Sequence, residues 1–222
     1  MHQPLDPSAA LDKIPGLIRG QLVSAITTAY SVSDDIIESY PILQSPHLTS
    51  ALGQLRYFLV DNVVKTWVSE GLIQGHAEWR GIPHSGAHYL EYQWENTKIT
   101  FSSAGRVYTL PRNSDFRENR AFSNQLLLFS DFPASQFGEV PSLLMTHGYR
   151  ELCFVQLVLP SHDDGKIVGL AWSENLLNQS GQEGLGGNSS YPTDPVPSEH
   201  VAELLPKLKE SAFKRLLEIE NQ

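Results

Sequence analysis

Three histidines and two carboxylates lie close together in the sequence, between positions 76 and 91. Imidazole and carboxylate groups are side chains that hold zinc and other divalent metals. The spacing matches no H-E-x-x-H or C-x-x-C pattern, and the Gly and Pro residues around the second histidine indicate a loop. We therefore predict no resident metal or other cofactor, while keeping the group as a candidate catalytic centre. Its members are His76, Glu78, His84, His88 and Glu91.

A second group with chemical potential is a run of arginines between positions 106 and 120. Guanidinium groups bind phosphate or carboxylate through two parallel hydrogen bonds. Ser114 is placed to begin a helix, whose free N–H groups would add to anion binding near Arg112. Because the charges along this segment have mixed signs, the competing interpretation is a solvated helix that pairs its own charges. The group contains Arg106, Arg112, Arg117 and Arg120, interleaved with Asp115 and Glu118.

The sequence contains no complete catalytic motif. There is no G-x-S-x-G elbow to present a serine nucleophile. The single cysteine, Cys153, lies in the apolar run LCFVQLVL, which predicts an inert core thiol. An enzyme would therefore depend on the histidine and arginine groups acting together as a metal-dependent hydrolase or nuclease. The candidate catalytic residues are His84, His88, Glu91, Arg112, Arg117 and Glu118.

A short peptide, QLLLF, follows the arginine group. It resembles the pentapeptide with which bacterial proteins bind the DNA polymerase sliding clamp, commonly Q-L-S/D-L-F. Gln125, Leu126, Leu128 and Phe129 match that pattern, whereas Leu127 stands where a polar residue is usual. The resemblance covers these five residues and implies that the glutamine occupies a polar subsite while the last two residues fill an apolar pocket. The alternative is that the three leucines pack in the core.

The composition is that of an ordinary folded protein. The chain has 222 residues, of which 41% are hydrophobic and 18% charged, enough to bury a sizeable core. The formal net charge of −9 lacks the basic footprint of a nucleic-acid-binding protein. One cysteine cannot form an intramolecular disulfide, which indicates a reducing compartment. Since there is no secretory signal and no long apolar run, we predict a cytoplasmic protein without a membrane span.

Amphipathic patterns predict two main helices before the histidine group. The first is expected over residues 16–30, followed by a short helical turn that stops at Pro41. The second is expected over residues 45–71, beginning with Ser-Pro and ending at Gly. Two apolar stripes on the second helix predict that it is buried between layers. Residues 76–86 read as a polar loop.

Residues 87–110 alternate between apolar and polar side chains, as three short antiparallel strands do. Turns at residues 96–97 and 104–105 would place every apolar side chain on one face. We expect that face to lie on the long helix and the opposite, polar face to meet solvent. This register pairs Trp94 with Ile99, Tyr92 with Phe101, and Phe101 with Tyr108.

The remaining elements are short. Residues 140–146 are expected to form a helix entered at Pro141. The nearly continuous apolar run over residues 151–159 predicts a central strand. A turn at Asp163-Asp164-Gly165 then leads into a return strand, Lys166–Trp172.

These elements predict one α+β domain over residues 1–177, with N-terminal helices and an antiparallel sheet of about five strands, a meander plus a hairpin. Residues 178–197 are rich in Gly, Ser, Asn and Pro and read as a flexible linker or loop. Residues 198–222 predict an amphipathic C-terminal helix. That helix is expected to dock on the domain or on a partner, including a second copy of the chain.

The absence of a coherent catalytic set favours an intracellular, non-enzymatic regulatory protein that acts through protein–protein contacts. One alternative is a protein of DNA metabolism that binds the sliding clamp through residues 125–129. Another is a hydrolase or nuclease, and the question of enzyme activity stays open at this point. Convergence of His84, His88, Glu91, Arg112 and Arg117 on one pocket would favour the enzyme.

Overall fold

A layer of helices packs on one face of a six-stranded sheet, which confirms the predicted α+β class. The computed structural model describes residues 6–82, 86–112, 114, 117–121, 123–124, 140–164 and 166–178. Its helices are α1 (Pro7–Asp12), α2 (Gly16–Ser39) and α3 (Thr49–Ser69), with 3₁₀ turns at Pro41–Gln44 and Pro46–Leu48. Its strands are β1 (His76–Gly81), β2 (His88–Trp94), β3 (Thr97–Ala104), β4 (Ser142–Gly148), β5 (Val155–Asp163) and β6 (Lys166–Trp172).

The strands follow chain order across the sheet, from β1 at one edge to β6 at the other. Every neighbouring pair is antiparallel except β3 and β4, which run parallel. A parallel pair cannot be joined by a tight turn, so the chain crosses from the end of β3 back to the start of β4. We call residues 105–141 the crossover. The sheet is therefore mixed and has six strands, where an antiparallel sheet of about five was expected.

Helix α2 is longer than the sequence pattern predicts. Its expected apolar face is buried, but the helix continues past Tyr30 to Ser39 and ends just before Pro41. The apolar stripe continues through Val32 and Ile36, both buried, so nothing interrupts packing before the proline. The predicted separation between the first helix and the short helical turn before Pro41 is therefore absent.

Helix α3 packs against α2 and against strands β1, β2 and β3. Leu59, Val63 and Trp67 are buried on it, as are Val60 and Val64 on its second stripe, so burial on two sides is confirmed. Tertiary packing rather than helix propensity explains the stability of such a helix. The apolar faces of the helices and of the sheet together form the hydrophobic core.

The β2–β3 hairpin keeps the predicted dry face but turns one residue earlier than expected. The turn is at Glu95-Asn96, with φ of 46° at Glu95, and Tyr92 pairs with Ile99 rather than with Phe101. The shift displaces the partner by two residues, and side chains alternate with a period of two, so each stays on its predicted face. Leu90, Tyr92, Ile99 and Phe101 are all buried in the core.

The third strand of the predicted meander does not form. Residues 106–110 lack strand structure, and Tyr108 is 60% exposed with φ of 56°, so it does not face Phe101. The neighbour of β3 is instead β4, which occupies most of the segment predicted as a helix over residues 140–146. Phe101 is opposite Met145 in that pairing. A partner about 40 residues away leaves no local signal in the sequence.

Three further predictions concern β1, the β5–β6 hairpin and Cys153. Residues 76–81, expected as part of a loop, form edge strand β1. The β5–β6 hairpin is confirmed, with residues 155–161 buried and the turn at Asp164. Cys153 is exposed because β5 begins only at Val155, so the prediction of a core thiol is wrong.

Several expected features lie beyond the part of the chain that the structure describes. They are the linker over residues 179–197 and the C-terminal helix over residues 198–222. Within the described residues, no helix combines the length and the apolar character needed to cross a membrane.

Two glycines provide a matched test of the fold. A Cβ at Gly148 would overlap the carbonyl oxygen of Glu151, whereas a Cβ at Gly20, inside α2, would meet no atom within 4 Å. We expect Gly148→Ala to lower the free energy of unfolding by about 2 kcal/mol. Gly20→Ala should raise it by roughly 0.5–1 kcal/mol, because alanine reduces the entropy of the unfolded chain. Urea unfolding measures both, and equal effects would contradict the tight turn after β4.

Candidate functional site

The polar face of the sheet is buried rather than solvated. Glu91, Thr100 and Ser102 are only 4%, 3% and 3% exposed. Side chains of the crossover lie over this face, so the expectation of a solvent-facing surface is wrong. The cause is the parallel β3–β4 pairing, which carries the connecting chain across the sheet on the side opposite the helices.

Glu91 is the centre of the buried charge. Its carboxylate accepts a hydrogen bond from Arg120 and lies 3.4 Å from both Arg80 Nε and Lys98 Nζ. Burial alone would raise the pKa of Glu91, but the hydrogen bond and charge of Arg120, with the charges of Lys98 and Arg80, lower it below the ordinary value. One carboxylate thus joins β1, β2, β3 and the crossover.

Arg120 is held by three further contacts. It donates to the Tyr89 hydroxyl at 3.0 Å and to Ser142 Oγ at 3.1 Å, and its guanidinium lies 5.3 Å from the centre of the Tyr89 ring. Burial acts to lower the pKa of Arg120, but the hydrogen bonds to Tyr89 and Glu91 raise it. Arg120 therefore remains charged and fixed in one orientation.

Arg117 lies one helical turn before Arg120, so both side chains reach the same region of the sheet. It donates to Ser102 Oγ at 2.8 Å, to Ser114 Oγ at 3.1 Å and to the carbonyl of Arg112. Burial lowers the pKa of Arg117, and Tyr57 raises it. These bonds hold this part of the crossover against β3.

Asn124 ties the crossover to β4 and β5. Its amide nitrogen donates to the carbonyls of Ser142 at 2.8 Å and Pro160 at 2.7 Å, and its oxygen accepts from the Ser142 N–H at 2.9 Å. Asn124 is fully buried. It therefore bridges β4 and β5 at the place where the β5 register shifts next to Pro160.

A cavity of about 300 Å³ lies between the crossover and strands β3 to β6. Such a volume is at the lower end of the range for small-molecule sites. One part of its wall is aliphatic and the other carries cationic groups and hydroxyls. The aliphatic part is Leu110, Pro111, Leu144, Pro160 and Ile167, and the polar part is Thr100, Ser142, Arg117, Arg120 and Lys166.

A separate buried acid lies under the sheet, on α3. Asp61 is 1% exposed and accepts a hydrogen bond from the Leu90 N–H at 3.3 Å. The pairing of β2 with β3 ends at Glu91 and Thr100. In the hydrogen-bond pattern of an antiparallel hairpin the Leu90 N–H is directed at β3, and here Asp61 accepts it instead. Its Oδ1 has no hydrogen-bond partner among the described residues. Burial raises the pKa of Asp61 well above the ordinary value, although the bonds from Leu90 and Tyr57 oppose this.

A buried histidine, His147, lies on the helical side of β4. Its Nδ1 is 2.8 Å from the Tyr30 hydroxyl, and the two rings meet edge to face. Burial lowers the pKa of His147 to about 4, so the imidazole is neutral at pH 7. It does not line the cavity and serves the packing of α2 on β4.

The structure brings together some of the predicted candidates. Glu91 bonds Arg120, and Arg117 and Arg120 line the same cavity. Arg112 is exposed and contributes its carbonyl to Arg117, and Glu118 is half-buried. His88 and His76 are exposed on β2 and β1, and His84 and the clamp-like residues 125–129 lie outside the described residues. Where the structure describes the chain, no three His, Cys, Asp or Glu side chains cluster at metal-binding distance.

Sequence reasoning missed Tyr89, Thr100, Ser142 and Lys166 as members of one site. Ser142 and Lys166 belong to β4 and β6, which reach the cavity only through the pairing of distant strands. The polar alternation of β2 and β3 was the available signal for Tyr89 and Thr100, but the same pattern describes a solvated sheet face.

The chain matches no protein-family model, no curated protein and no solved structure. What the site does is therefore argued from its geometry.

Replacing Glu91 tests the buried charge cluster. Glu91→Gln leaves three cations without their shared carboxylate, so we expect a loss of about 3 kcal/mol in unfolding free energy at pH 7. Glu78→Gln is the matched control, because Glu78 is 49% exposed and bonds Arg80 at 3.0 Å. That control should change stability by less than about 1 kcal/mol. A similar loss from both variants, measured by urea unfolding, would show that Glu91 has no special role.

Asp61 gives a prediction about pH. With its folded pKa raised, the unfolded chain releases this proton first as pH rises above the ordinary value of 3.8. The wild type should therefore lose stability relative to Asp61→Asn as pH rises, by up to about 1.4 kcal/mol per pH unit until the folded form also ionises. Urea unfolding at pH 4.5, 6 and 7.5 measures the difference. A constant difference between the two proteins would contradict a neutral, buried Asp61.

Proposed function

We propose that the chain is a non-enzymatic regulatory protein that binds a small, largely apolar molecule between the crossover and the sheet and transmits binding to a protein partner. The cavity of about 300 Å³, with an aliphatic wall on one side and charged groups on the other, carries the proposal. Such a mixture of apolar surface and a few placed polar groups is typical of small-molecule sites.

The state of the buried ionic groups favours binding over catalysis. Glu91 is paired with three cations, and its lowered pKa makes it a poor general acid at neutral pH. Arg117 and Arg120 donate to acceptors of the protein itself. These groups hold the walls of the cavity in place, which is a positioning role rather than a chemical one.

The location of the cavity supports a regulatory role. Its walls come from the crossover on one side and from β4, β5 and β6 on the other. A ligand that fills it would tie these parts together and stabilise one arrangement of the crossover. Tyr108 and Trp172 meet edge to face at 5.8 Å across the same boundary, and Tyr108 is 60% exposed. The surface around Tyr108 is therefore the surface that would change on binding.

A substitution that fills the cavity tests the proposal. Ile167 is half-buried and lines the cavity on β6, whereas Leu170 is on the same strand, is 42% exposed and does not line it. We expect Ile167→Trp to weaken ligand binding at least tenfold, because the indole occupies the ligand volume. Leu170→Trp should bind like the wild type. Calorimetry with apolar and amphipathic compounds of about ten non-hydrogen atoms gives the affinities, and circular dichroism checks folding.

A bound ligand should also stabilise the folded protein, by about 2.7 kcal/mol at one hundred times its dissociation constant. Two results would overturn the proposal. One is that no compound in the panel binds the wild type. The other is that a folded Ile167→Trp variant binds as tightly as the wild type.

A further inference from the structure

We propose that the ligand of this cavity is an amphipathic monocarboxylate whose carboxylate pairs with Lys166, with its apolar chain lying against the aliphatic wall. This inference rests on the proposed function and adds the chemical class of the ligand. It follows from which cationic groups at the cavity already have partners in the protein.

The two arginines of the cavity wall are engaged. Arg120 bonds Glu91, Tyr89 and Ser142, so its charge is balanced and its donors are directed at protein oxygens. Arg117 is held by Ser102 and by the start of the crossover. A phosphate group needs several convergent donors, and the nitrogens of these arginines that already donate would have to break existing bonds to supply them.

Lys166 differs from Arg120, whose charge is balanced by Glu91. It lines the cavity, its residue is exposed, and it forms no ion pair with any carboxylate in the described part of the chain. Asp163 is its cross-strand neighbour in the β5–β6 hairpin and is exposed, as is Asp164 in the turn. Lys166 therefore provides one ammonium group, with three donors, among the residues that line the cavity.

The apolar part of the cavity sets the size of the ligand. A volume of about 300 Å³ corresponds to about ten water-sized groups, since a water occupies roughly 30 Å³ in the liquid. Leu110, Leu144 and Ile167 provide aliphatic contacts there. One anionic head at Lys166 and a chain of about seven methylene or methyl carbons satisfy the charge and the volume together. Octanoate is the simplest probe with these properties.

Three probes of equal chain length distinguish the ligand classes: octanoate, octanol and octyl phosphate. We expect octanoate to bind the wild type about tenfold more tightly than octanol, because the carboxylate gains a charged hydrogen bond. Octyl phosphate should bind no better than octanoate. The advantage of octanoate over octanol should shrink as salt is raised, since the head group lies near solvent.

Variants at Lys166 locate the head group. Lys166→Gln should remove the octanoate advantage while leaving octanol binding unchanged, and Lys166→Arg should keep it. Lys13→Gln is the control, because Lys13 is exposed on the helical side and does not line the cavity. Calorimetry on the full-length chain provides the dissociation constants.

The outcomes separate this inference from the proposed function. Equal binding of octanoate and octanol, or no effect of Lys166→Gln, overturns the carboxylate class but leaves a ligand-binding cavity. Tighter binding of octyl phosphate would identify a phosphate site and also overturn it. If none of the three probes binds, the inference is overturned. If a wider panel of compounds also fails to bind, the proposed function is overturned as well. That second result is expected if the chain's own residues fill the cavity.

Discussion

The parallel pairing of β3 with β4 is the constraint on which the rest of this structure depends. Without it, the chain after β3 would be free to return as a third strand of a meander. With it, the chain must cross the sheet, and the crossover covers a face whose side chains are polar. That single choice buries Glu91, brings Arg117 and Arg120 onto the sheet and leaves the cavity between them and β6.

Burying charge under the crossover is tolerable because the groups satisfy one another. An ion removed from water costs several kcal/mol unless it is paired and hydrogen-bonded. Here one carboxylate, Glu91, faces three cations, and Tyr89 and Ser142 accept further hydrogen bonds from Arg120. The cluster has excess positive charge in a chain of net charge −9.

Asp61 shows a different arrangement on the other side of the sheet. It lies among apolar side chains and accepts a backbone hydrogen bond from Leu90 where β2 and β3 have separated. Burial raises the pKa of its carboxyl well above the ordinary value. Near the turn, β2 is hydrogen-bonded to β3, and at Leu90 the backbone N–H is hydrogen-bonded to the Asp61 side chain of α3.

The sequence by itself determined the features that depend on near neighbours. A period of 3.6 residues specified α2 and α3, and a period of two specified the dry face of β2 and β3, which survived a shift of the turn. The β5–β6 hairpin followed from its turn residues. Only the tertiary structure decided that β4 is a strand, that the polar face is buried and that Lys166 shares a cavity with Arg117 and Arg120. Those outcomes depend on contacts between residues far apart in the chain, whose free energy no local pattern contains.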